Sequence, residues 1–183
     1  MLTLPDFELL RPTAVTEAIE MLSSYGPDAR LIAGGTDILV NMKHGITTPR
    51  FLVDLSGISS LRQVARAEGT VSIGALVTLS ELAAAPLIHA LYPALSQAVA
   101  LVAGPQLRNM GTIGGNVCLD TRCVYINQTH FWRQSLGYCL KRDGSVCHVV
   151  KNGRRCVAAQ SSDSVPVLIS LDAVARLMSP RGE

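Results

Sequence analysis

The chain has 183 residues and a formal net charge of +2, and 48% of its residues are hydrophobic. This length suffices for one or two lobes with a hydrophobic core, and the hydrophobic content excludes a disordered chain. The near-neutral charge gives no indication of nucleic-acid binding, and no apolar run is long enough to span a membrane. Residues 1–6 lack the basic start and apolar run of a signal peptide, so we expect a soluble cytoplasmic protein.

The N-terminal third predicts a small βαβ-like unit. Hydrophobic periodicity and turn residues predict helices over 13–25 and 38–42, and strands over 30–33 and 50–54. The first of these strands leads directly into Gly34-Gly35-Thr36-Asp37. A strand, a glycine turn and a helix start can direct free backbone N–H groups towards a phosphate, although Gly-Gly also occurs in ordinary tight turns.

The elements of the remaining chain are less regular. We expect a β-hairpin of residues 61–67 and 71–73, joined by Glu68-Gly69-Thr70, and then helices from Thr78 to Val102 that Pro86 and Pro93 interrupt. Near the C-terminus, the pattern predicts a short buried helix within 165–171 and a strand over 173–178. Residues 180–183 read as a hairpin turn without a returning strand, which indicates a longer polypeptide or a neighbour covering this edge.

A second glycine-rich segment, Gly111-Thr112-Ile113-Gly114-Gly115-Asn116, shares the character of the first. Adjacent glycines allow close approach of the backbone to a pyrophosphate, and Thr and Asn add side-chain donors. Neither segment is followed by the lysine of a P-loop, and neither matches G-x-G-x-x-G. The sequence therefore excludes these two common nucleotide-binding motifs, and a dinucleotide held between two separate loops remains possible.

Three blocks in this order resemble the FAD-binding subunits of molybdenum hydroxylases, the flavoprotein family of xanthine dehydrogenase and carbon monoxide dehydrogenase. They are residues 31–37, residues 108–116, and Ser162-Asp163-Ser164-Val165-Pro166-Val167-Leu168. The resemblance implies an α+β fold of two lobes, residues 1–55 and 56–183, with FAD between them. Because members of this family continue beyond the last residue here, it also implies a chain truncated at its C-terminus.

The same resemblance assigns the FAD site. Both glycine loops would contact the pyrophosphate, Asp163 the flavin nucleotide, and Thr78 the flavin side. The residues carried over are Leu31, Ile32, Ala33, Gly34, Gly35, Thr36, Asp37, Thr78, Gly111, Thr112, Ile113, Gly114, Gly115, Asn116 and Asp163.

All five cysteines lie between residues 118 and 156. Such clustering favours metal or cluster ligation over the disulfide framework of a secreted protein. Residues 122–156 also hold seven of the sixteen basic residues and a single acid, Asp143, with little hydrophobic periodicity. Four of the cysteines follow the spacing C-x15-C-x7-C-x8-C, which matches neither a zinc ribbon nor a ferredoxin motif. Four thiolates would satisfy either a [4Fe–4S] cluster or a structural zinc ion.

Ordinary family members lack this insertion, at about 117–160. It resembles that of the FAD subunits of 4-hydroxybenzoyl-CoA reductases, an anaerobic branch that holds an additional [4Fe–4S] cluster. The resemblance makes Cys123, Cys139, Cys147 and Cys156 the ligands and leaves Cys118 as a small buried residue. His130 and His148 are expected at the surface or as donors near the cluster, and Trp132 and Tyr138 in a small core.

The resemblance implies an oxidoreductase subunit without catalytic side chains of its own, because the cofactors carry the chemistry. The expected hetero-oligomeric partners are a molybdenum-cofactor subunit and a [2Fe–2S] subunit. Electrons from ferredoxin would reach them through the [4Fe–4S] cluster and FAD for the reductive dehydroxylation of 4-hydroxybenzoyl-CoA, a step of anaerobic aromatic degradation. One alternative is the FAD subunit of an oxidative hydroxylase that passes electrons outwards. A non-enzymatic alternative is a zinc-stabilised adaptor domain.

Overall fold

A computed structural model describes residues 2–67 and 69–182. The chain divides into two compact units. The first comprises residues up to Pro5, residues 37–48 and residues 119–161, and the second comprises residues 6–36, 49–118 and those from Ser162 onwards. The predicted lobe boundary at residue 55 stays a prediction. No helix in the described ranges combines the length and apolar content that crossing a membrane requires.

Five strands and nine α-helices occur in the described residues. In chain order they are β1 (Glu8–Leu10), α1 (Val15–Tyr25), β2 (Ala29–Ile32), α2 (Ile38–Lys43), β3 (Phe51–Asp54), β4 (Val64–Ala67), β5 (Thr70–Ile73), α3 (Leu79–Ala84), α4 (Pro86–Leu91), α5 (Pro93–Leu101), α6 (Pro105–Arg108), α7 (Ile113–Val117), α8 (His130–Ser135) and α9 (Val165–Ser170).

A parallel three-stranded sheet of order β1-β3-β2 forms one part of the second unit. Helix α1 connects β1 to β2, as expected for a crossover between parallel strands. Its residue Ala18 is buried in a cluster with Ala29, Val53 and Ile58. The predicted α1, β2 and β3 are thus confirmed, whereas β1 was not predicted.

A helical layer forms the larger core of the same unit. Helices α3, α4 and α5 bury Leu82, Ile88, Leu95 and Val99 almost completely. The Thr78 hydroxyl accepts the N–H of Glu81, and the Glu81 carboxylate accepts the Thr78 N–H at 2.8 Å. This capping box starts α3 where the sequence predicted a helix. Pro86 and Pro93 each stand at the beginning of a helix, where a missing N–H costs nothing.

The first unit contains little regular structure. Helix α8 and helix α2 are its only α-helices within the described residues. Arg122 and Ala159 exchange two backbone hydrogen bonds, of 2.6 and 3.1 Å, so the ends of the cysteine segment (residues 122–159) are adjacent. The buried Arg133 of α8 donates to the carbonyl groups of His44 and Gly45 after α2. Hydrogen bonds thus replace an apolar core in organising this segment.

Several predicted elements differ from the structure. Residues 173–178 form no strand within the described range, because alternation alone does not supply a pairing partner. Helix α9 exists, but Ile169 is 69% exposed, so the helix is not buried as expected. The hairpin begins at Val64, since residues 59–62 form a 3₁₀ turn. A bridge between Ser179 and Gly182 confirms the terminal turn. The predicted turn positions Glu68 and Glu183 lie outside the described residues.

Candidate functional site

The two glycine loops lie in direct contact within the second unit. A Cβ atom built on Gly34 would overlap the backbone carbonyl of Met110, so no larger residue fits there. A Cβ on Gly111 would lie 3.5 Å from the hydroxyl oxygen of Thr36. Loops far apart in sequence therefore meet backbone to backbone, which glycine alone permits.

The first loop presents three free backbone donors. Gly34, Gly35 and Thr36 donate their N–H groups to no hydrogen-bond acceptor in residues 2–67 and 69–182. Gly35 has a φ of 73°, in the left-handed region that glycine tolerates. Successive free N–H groups in such a turn form a concavity that suits an anion.

The second loop has committed most of its donors. The N–H groups of Ile113 and Gly114 donate to the carbonyl oxygens of Val77 and Ala75, both at 2.9 Å. Gly115 donates to the Thr112 hydroxyl at 3.1 Å. The first loop therefore has more N–H groups available for a pyrophosphate than the second. The second loop packs against the first through the contact of Met110 with Gly34.

A pocket with a cavity volume of about 180 Å³ lies beside this contact. Four of the predicted FAD-site residues line it, namely Ala33, Gly34, Thr78 and Thr112. Sequence reasoning missed five further lining residues, which are Ser56, Arg62, Leu76, Asn109 and Met110. Asn109 and Met110 belong to the conspicuous block 108–116 and could have been found there. Ser56 and Arg62 sit in short 3₁₀ turns without any motif, so only the fold reveals them.

The other predicted FAD residues of this unit lie around the pocket rather than in its lining. Ile113 is 6% exposed and belongs to the hydrophobic core. The buried Asn116 accepts the hydroxyl groups of Ser162 and Ser164 at 2.7 and 2.6 Å. Asp163 lies between these two serines and is exposed. Leu31 and Ile32 belong to β2, where Leu31 is exposed and Ile32 is half-buried.

Asp37 belongs to the first unit and already has partners. Its carboxylate forms an ion pair with Arg122 and accepts the side-chain amide of Asn41 at 2.8 Å. Arg122 also donates to the side-chain oxygen of Asn41 at 2.9 Å. Asp37 thus holds the base of the cysteine segment, next to Cys123.

Cys123, Cys139, Cys147 and Cys156 line a single pocket of the first unit. This convergence was the expectation for a shared ligand. Cys118 belongs to the second unit and is exposed at the C-terminal end of α7. The prediction that Cys118 is buried is wrong, because its side chain follows the last turn of a helix and no element of the described residues covers it.

The local backbone around the cysteines supports their arrangement. Val150 donates its N–H to the Cys147 sulfur, and Ala158 donates to the Cys156 sulfur, both at 3.4 Å. Backbone N–H groups directed at sulfur stabilise thiolates and tune iron–sulfur centres. Gly144 packs so closely on Cys139 that an added Cβ would lie 2.6 Å from the Cys139 nitrogen.

Two histidines were expected at the surface or near the cluster. His148 lines the cysteine pocket, where Nε2 donates to the Tyr138 carbonyl at 2.6 Å and the ring lies 5.0 Å from that of Tyr125. His130 is exposed and contacts the Tyr138 hydroxyl at 3.3 Å. Trp132 is 36% exposed and packs loosely on Tyr125 at a centroid distance of 6.1 Å.

Four thiolates can hold either of two metal centres, which differ in the arrangement of sulfur atoms that they need. A structural zinc ion needs its sulfur ligands about 2.3 Å from one point. No three His, Cys, Asp or Glu side chains in the described residues are arranged around a single ion in this way. A [4Fe–4S] cluster binds each thiolate at a separate iron atom, so it needs a wider ring of sulfur atoms. The four cysteines around one pocket match the number of thiolates that a [4Fe–4S] cluster binds.

Cationic groups accompany this pocket. Lys141 lines it, and its Nζ contacts Asp120 at 2.9 Å and Thr121 at 2.6 Å. The hydrogen bond from Lys141 is the main reason why the pKa of Asp120 falls below its ordinary value. Lys141 is therefore fixed beside the cysteines, where its positive charge would offset the negative charge of thiolates.

Comparison with known proteins identifies relatives along most of the chain. Residues 5–183 match the family described as the FAD binding domain in molybdopterin dehydrogenase. The chain is 41% identical over 113 residues to the carbon monoxide dehydrogenase medium chain of Hydrogenophaga pseudoflava, covering 62% of this chain and 39% of that one. It is 35% identical over 168 residues to the aldehyde oxidoreductase FAD-binding subunit PaoB of Escherichia coli, covering 86% and 51%.

Solved structures are also similar. Carbon monoxide dehydrogenase from Hydrogenophaga pseudoflava, in a form lacking the Mo-pyranopterin moiety, superimposes with a TM-score of 0.62 at 40% identity over 63% of this chain and 40% of that one. Quinoline 2-oxidoreductase from Pseudomonas putida 86 gives a TM-score of 0.60 at 35% identity, with the same coverages. The chain thus spans about two fifths to one half of the length of these relatives.

The extent of these matches separates the relatives. A match that covers 86% of the chain must run through the cysteine segment, because that segment is internal. A match that covers 62% need not include it. The relative from Escherichia coli therefore aligns across the part of the chain that carries the four cysteines.

Proposed function

Since the chain belongs to the family of FAD-binding domains of molybdopterin dehydrogenases, we propose that it is the flavin- and iron–sulfur-binding electron-transfer subunit of a molybdenum hydroxylase. Its partners would be a molybdenum-cofactor subunit and a [2Fe–2S] subunit in a hetero-oligomer, and its location the cytoplasm. FAD and an iron–sulfur cluster together supply the exchange of electrons between one-electron and two-electron carriers.

The observation that supports FAD binding is the contact between the two glycine loops. The N–H groups of Gly34, Gly35 and Thr36, which donate to no acceptor in the described part of the chain, would bind the pyrophosphate, and this turn packs against Met110. Asn116 joins the second loop to the segment that carries Asp163, and this carboxylate would contact the nucleotide. These residues bind and orient the cofactor, so no catalytic side chain is required.

The observation that supports the cluster is the convergence of Cys123, Cys139, Cys147 and Cys156 on one pocket. These four thiolates would hold a [4Fe–4S] cluster. The N–H groups directed at two of the sulfurs and the nearby Lys141 stabilise their negative charge. Val149 and Val157 line the pocket as well.

Replacing Cys139 tests the ligand set. Cys139→Ser should remove the cluster, lowering the iron content of the purified complex by about four atoms per chain, while FAD content stays unchanged. Cys118→Ser is the matched control, because Cys118 is a free thiol outside the pocket. If Cys139→Ser retains the iron of the wild-type complex, this ligand set is wrong.

Metal analysis and EPR spectroscopy separate the cluster from the zinc-stabilised adaptor. A reduced [4Fe–4S] cluster in this chain adds an EPR signal to those of the partner [2Fe–2S] clusters, and Cys139→Ser should remove it, whereas zinc is silent. A wild-type complex with zinc at this site and no FAD would support the adaptor and contradict the proposed electron transfer.

The direction of electron flow has two candidates, and we favour oxidation. Two of the relatives are described as a carbon monoxide dehydrogenase medium chain and a xanthine dehydrogenase FAD-binding subunit, and the name dehydrogenase describes oxidation of the substrate. The aldehyde oxidoreductase subunit also aligns across the cysteine segment, so this segment does not by itself indicate a reductase. We therefore propose the FAD subunit of an oxidative hydroxylase, with electrons leaving to an acceptor.

The second candidate is the reductive dehydroxylation of 4-hydroxybenzoyl-CoA with ferredoxin as donor, in anaerobic aromatic degradation. The insertion with four cysteines favours it. The complex should be assayed with aldehydes and N-heterocycles plus a dye acceptor, and separately with 4-hydroxybenzoyl-CoA plus a reduced low-potential donor. Turnover in the second assay alone would reverse our preference for oxidation.

A further inference from the structure

The pocket beside the glycine loops contains one cationic side chain. Among the lining residues that the structure describes, Arg62 alone carries a positive charge. It shares the pocket with Gly34 of the first loop and with Thr78 and Thr112. No sequence motif or resemblance assigned a role to Arg62.

The guanidinium group of Arg62 is only lightly engaged. Its Nη2 donates to the Ser56 carbonyl at 3.3 Å, a weak hydrogen bond, and the side chain is exposed. No ion pair of Arg62 within 4 Å occurs among the described residues. The positive charge of Arg62 makes a small contribution to the lowered pKa of Glu81, after the hydrogen bonds from Thr78. Most of the five N–H donors of this side chain thus remain available.

The backbone donors of the loop leave an electrostatic deficit. Free N–H groups carry only partial charges, whereas the pyrophosphate of a dinucleotide carries two full negative charges. Neither glycine loop contains a lysine or an arginine. A planar guanidinium can contact two phosphate oxygens at once, which makes arginine well suited to complete such a site.

We propose that Arg62 binds the pyrophosphate of FAD and supplies the positive charge that the glycine loops lack. This inference rests on the proposed function, because it requires that the chain bind FAD. Arg62 lines the pocket from the 3₁₀ turn of residues 59–62, and no other cationic side chain among the described residues lines it. FAD binding should therefore be more sensitive to salt than backbone contacts alone would make it.

The test is FAD affinity in the complex of the full-length chain after removal of flavin. Arg62→Gln should raise the Kd for FAD about tenfold or more, because it removes a charge-assisted hydrogen bond. Arg62→Lys should fall between wild type and Arg62→Gln, since lysine keeps the charge without the planar fork. The control is Arg66→Gln, which removes the same charge from an exposed position on β4 outside the pocket lining.

Two further readouts separate binding of the pyrophosphate from a structural role. The Kd of wild type should rise with salt more steeply than that of Arg62→Gln. Inorganic pyrophosphate should compete with FAD in wild type and several-fold less in the variant, while affinity for riboflavin, which lacks phosphate, should not change. Equal thermal unfolding midpoints for Arg62→Gln and Arg66→Gln should show that the fold is retained.

The outcomes distinguish this inference from its premise. If wild type binds FAD and Arg62→Gln binds it with the same Kd and the same salt dependence, the assignment of Arg62 is overturned alone. If the wild-type complex binds no FAD, the proposed function is overturned as well. If Arg62→Gln weakens riboflavin binding as much as FAD binding, the assignment of Arg62 is overturned, because Arg62 would then not act through the pyrophosphate.

Discussion

At the residue scale, Asn116 connects two segments that are 46 residues apart in sequence. Its side-chain oxygen accepts two buried hydroxyl groups, and the hydroxyl oxygens of Ser162 and Ser164 lie 3.1 Å apart. Buried polar groups that are fully paired fix one arrangement, because any alternative leaves a donor without an acceptor. The exposed Asp163 is therefore held at a defined place by its two neighbours. An amide in a glycine loop indicates a ligand donor by pattern, but only the fold shows this second use.

The Glu81 carboxylate gives a pH-dependent prediction. Hydrogen bonds from the backbone and side chain of Thr78 are the main reasons why the pKa of Glu81 lies below its ordinary value of 4.5 in the folded protein. Its contribution to stability is therefore present above the unfolded-state pKa and is lost as the pH falls through the native pKa. Glu81→Gln should lower the free energy of unfolding at neutral pH, because it removes the capping carboxylate. The loss should be only about 0.5 kcal/mol, because this carboxylate is exposed to solvent.

Chemical denaturation of wild type and Glu81→Gln between pH 3 and pH 7 is the measurement, with both pH limits chosen to bracket the ordinary carboxyl range of about 4. The difference between the two proteins should shrink towards the acidic end. Glu20→Gln, on the exposed side of α1, controls for the general loss of a negative charge. A difference that stays constant or grows on acidification would contradict the assigned role of the carboxylate.

At the element scale, local signals predicted those elements whose causes are local. Helix α3 was predicted from Thr78 and Glu81, and α1 from its periodicity and Gly26. Strand β1 has only three residues and exists because β3 pairs with it, so no local pattern could reveal it. The alternating residues 173–178 show the converse, since Val174 is 88% exposed and no strand of the described residues pairs there.

The cysteine segment provides the prediction at this scale. Arg122 joins its base to α2 through the ion pair with Asp37 and the hydrogen bond to Asn41. Arg122→Gln should cost about 1–2 kcal/mol of local stability, because partly buried charged partners lose their counterpart. Proteolytic cleavage within residues 119–161 should become faster, and the iron content should fall.

Arg154→Gln is the matched control, because Arg154 is an exposed arginine of the same segment. It should leave the cleavage rate and the iron content at wild-type values. Equal cleavage rates and iron contents in the two variants would show that the Asp37–Arg122 pair does not hold the segment in place.

At the scale of the whole molecule, the two candidate sites belong to different units. The residues that line the flavin pocket all come from the second unit, and those that line the cysteine pocket all come from the first. The sequence indicated both groups, because glycine pairs and clustered cysteines are unusual locally. It could not indicate Arg62 or Ser56, which line the flavin pocket only because distant segments fold together.

This separation predicts that flavin binding survives removal of the cysteine segment. Arg122 and Ala159 are directly paired through two backbone hydrogen bonds, so residues 123–158 leave and return at neighbouring points. A two-residue Asn-Gly turn can join such an antiparallel pair. The shortened protein keeps Arg122 for its contacts with Asp37 and Asn41, although it loses those of Arg133 with His44 and Gly45.

We expect the shortened protein to bind FAD with a Kd within about threefold of wild type, a change of less than 1 kcal/mol, and to lack the cluster iron. Flavin titration and iron analysis measure the two effects, and the thermal unfolding midpoint establishes that the protein is folded. A folded deletion variant that has lost FAD binding would mean that the cysteine segment is part of the flavin site and not an independent electron-transfer module.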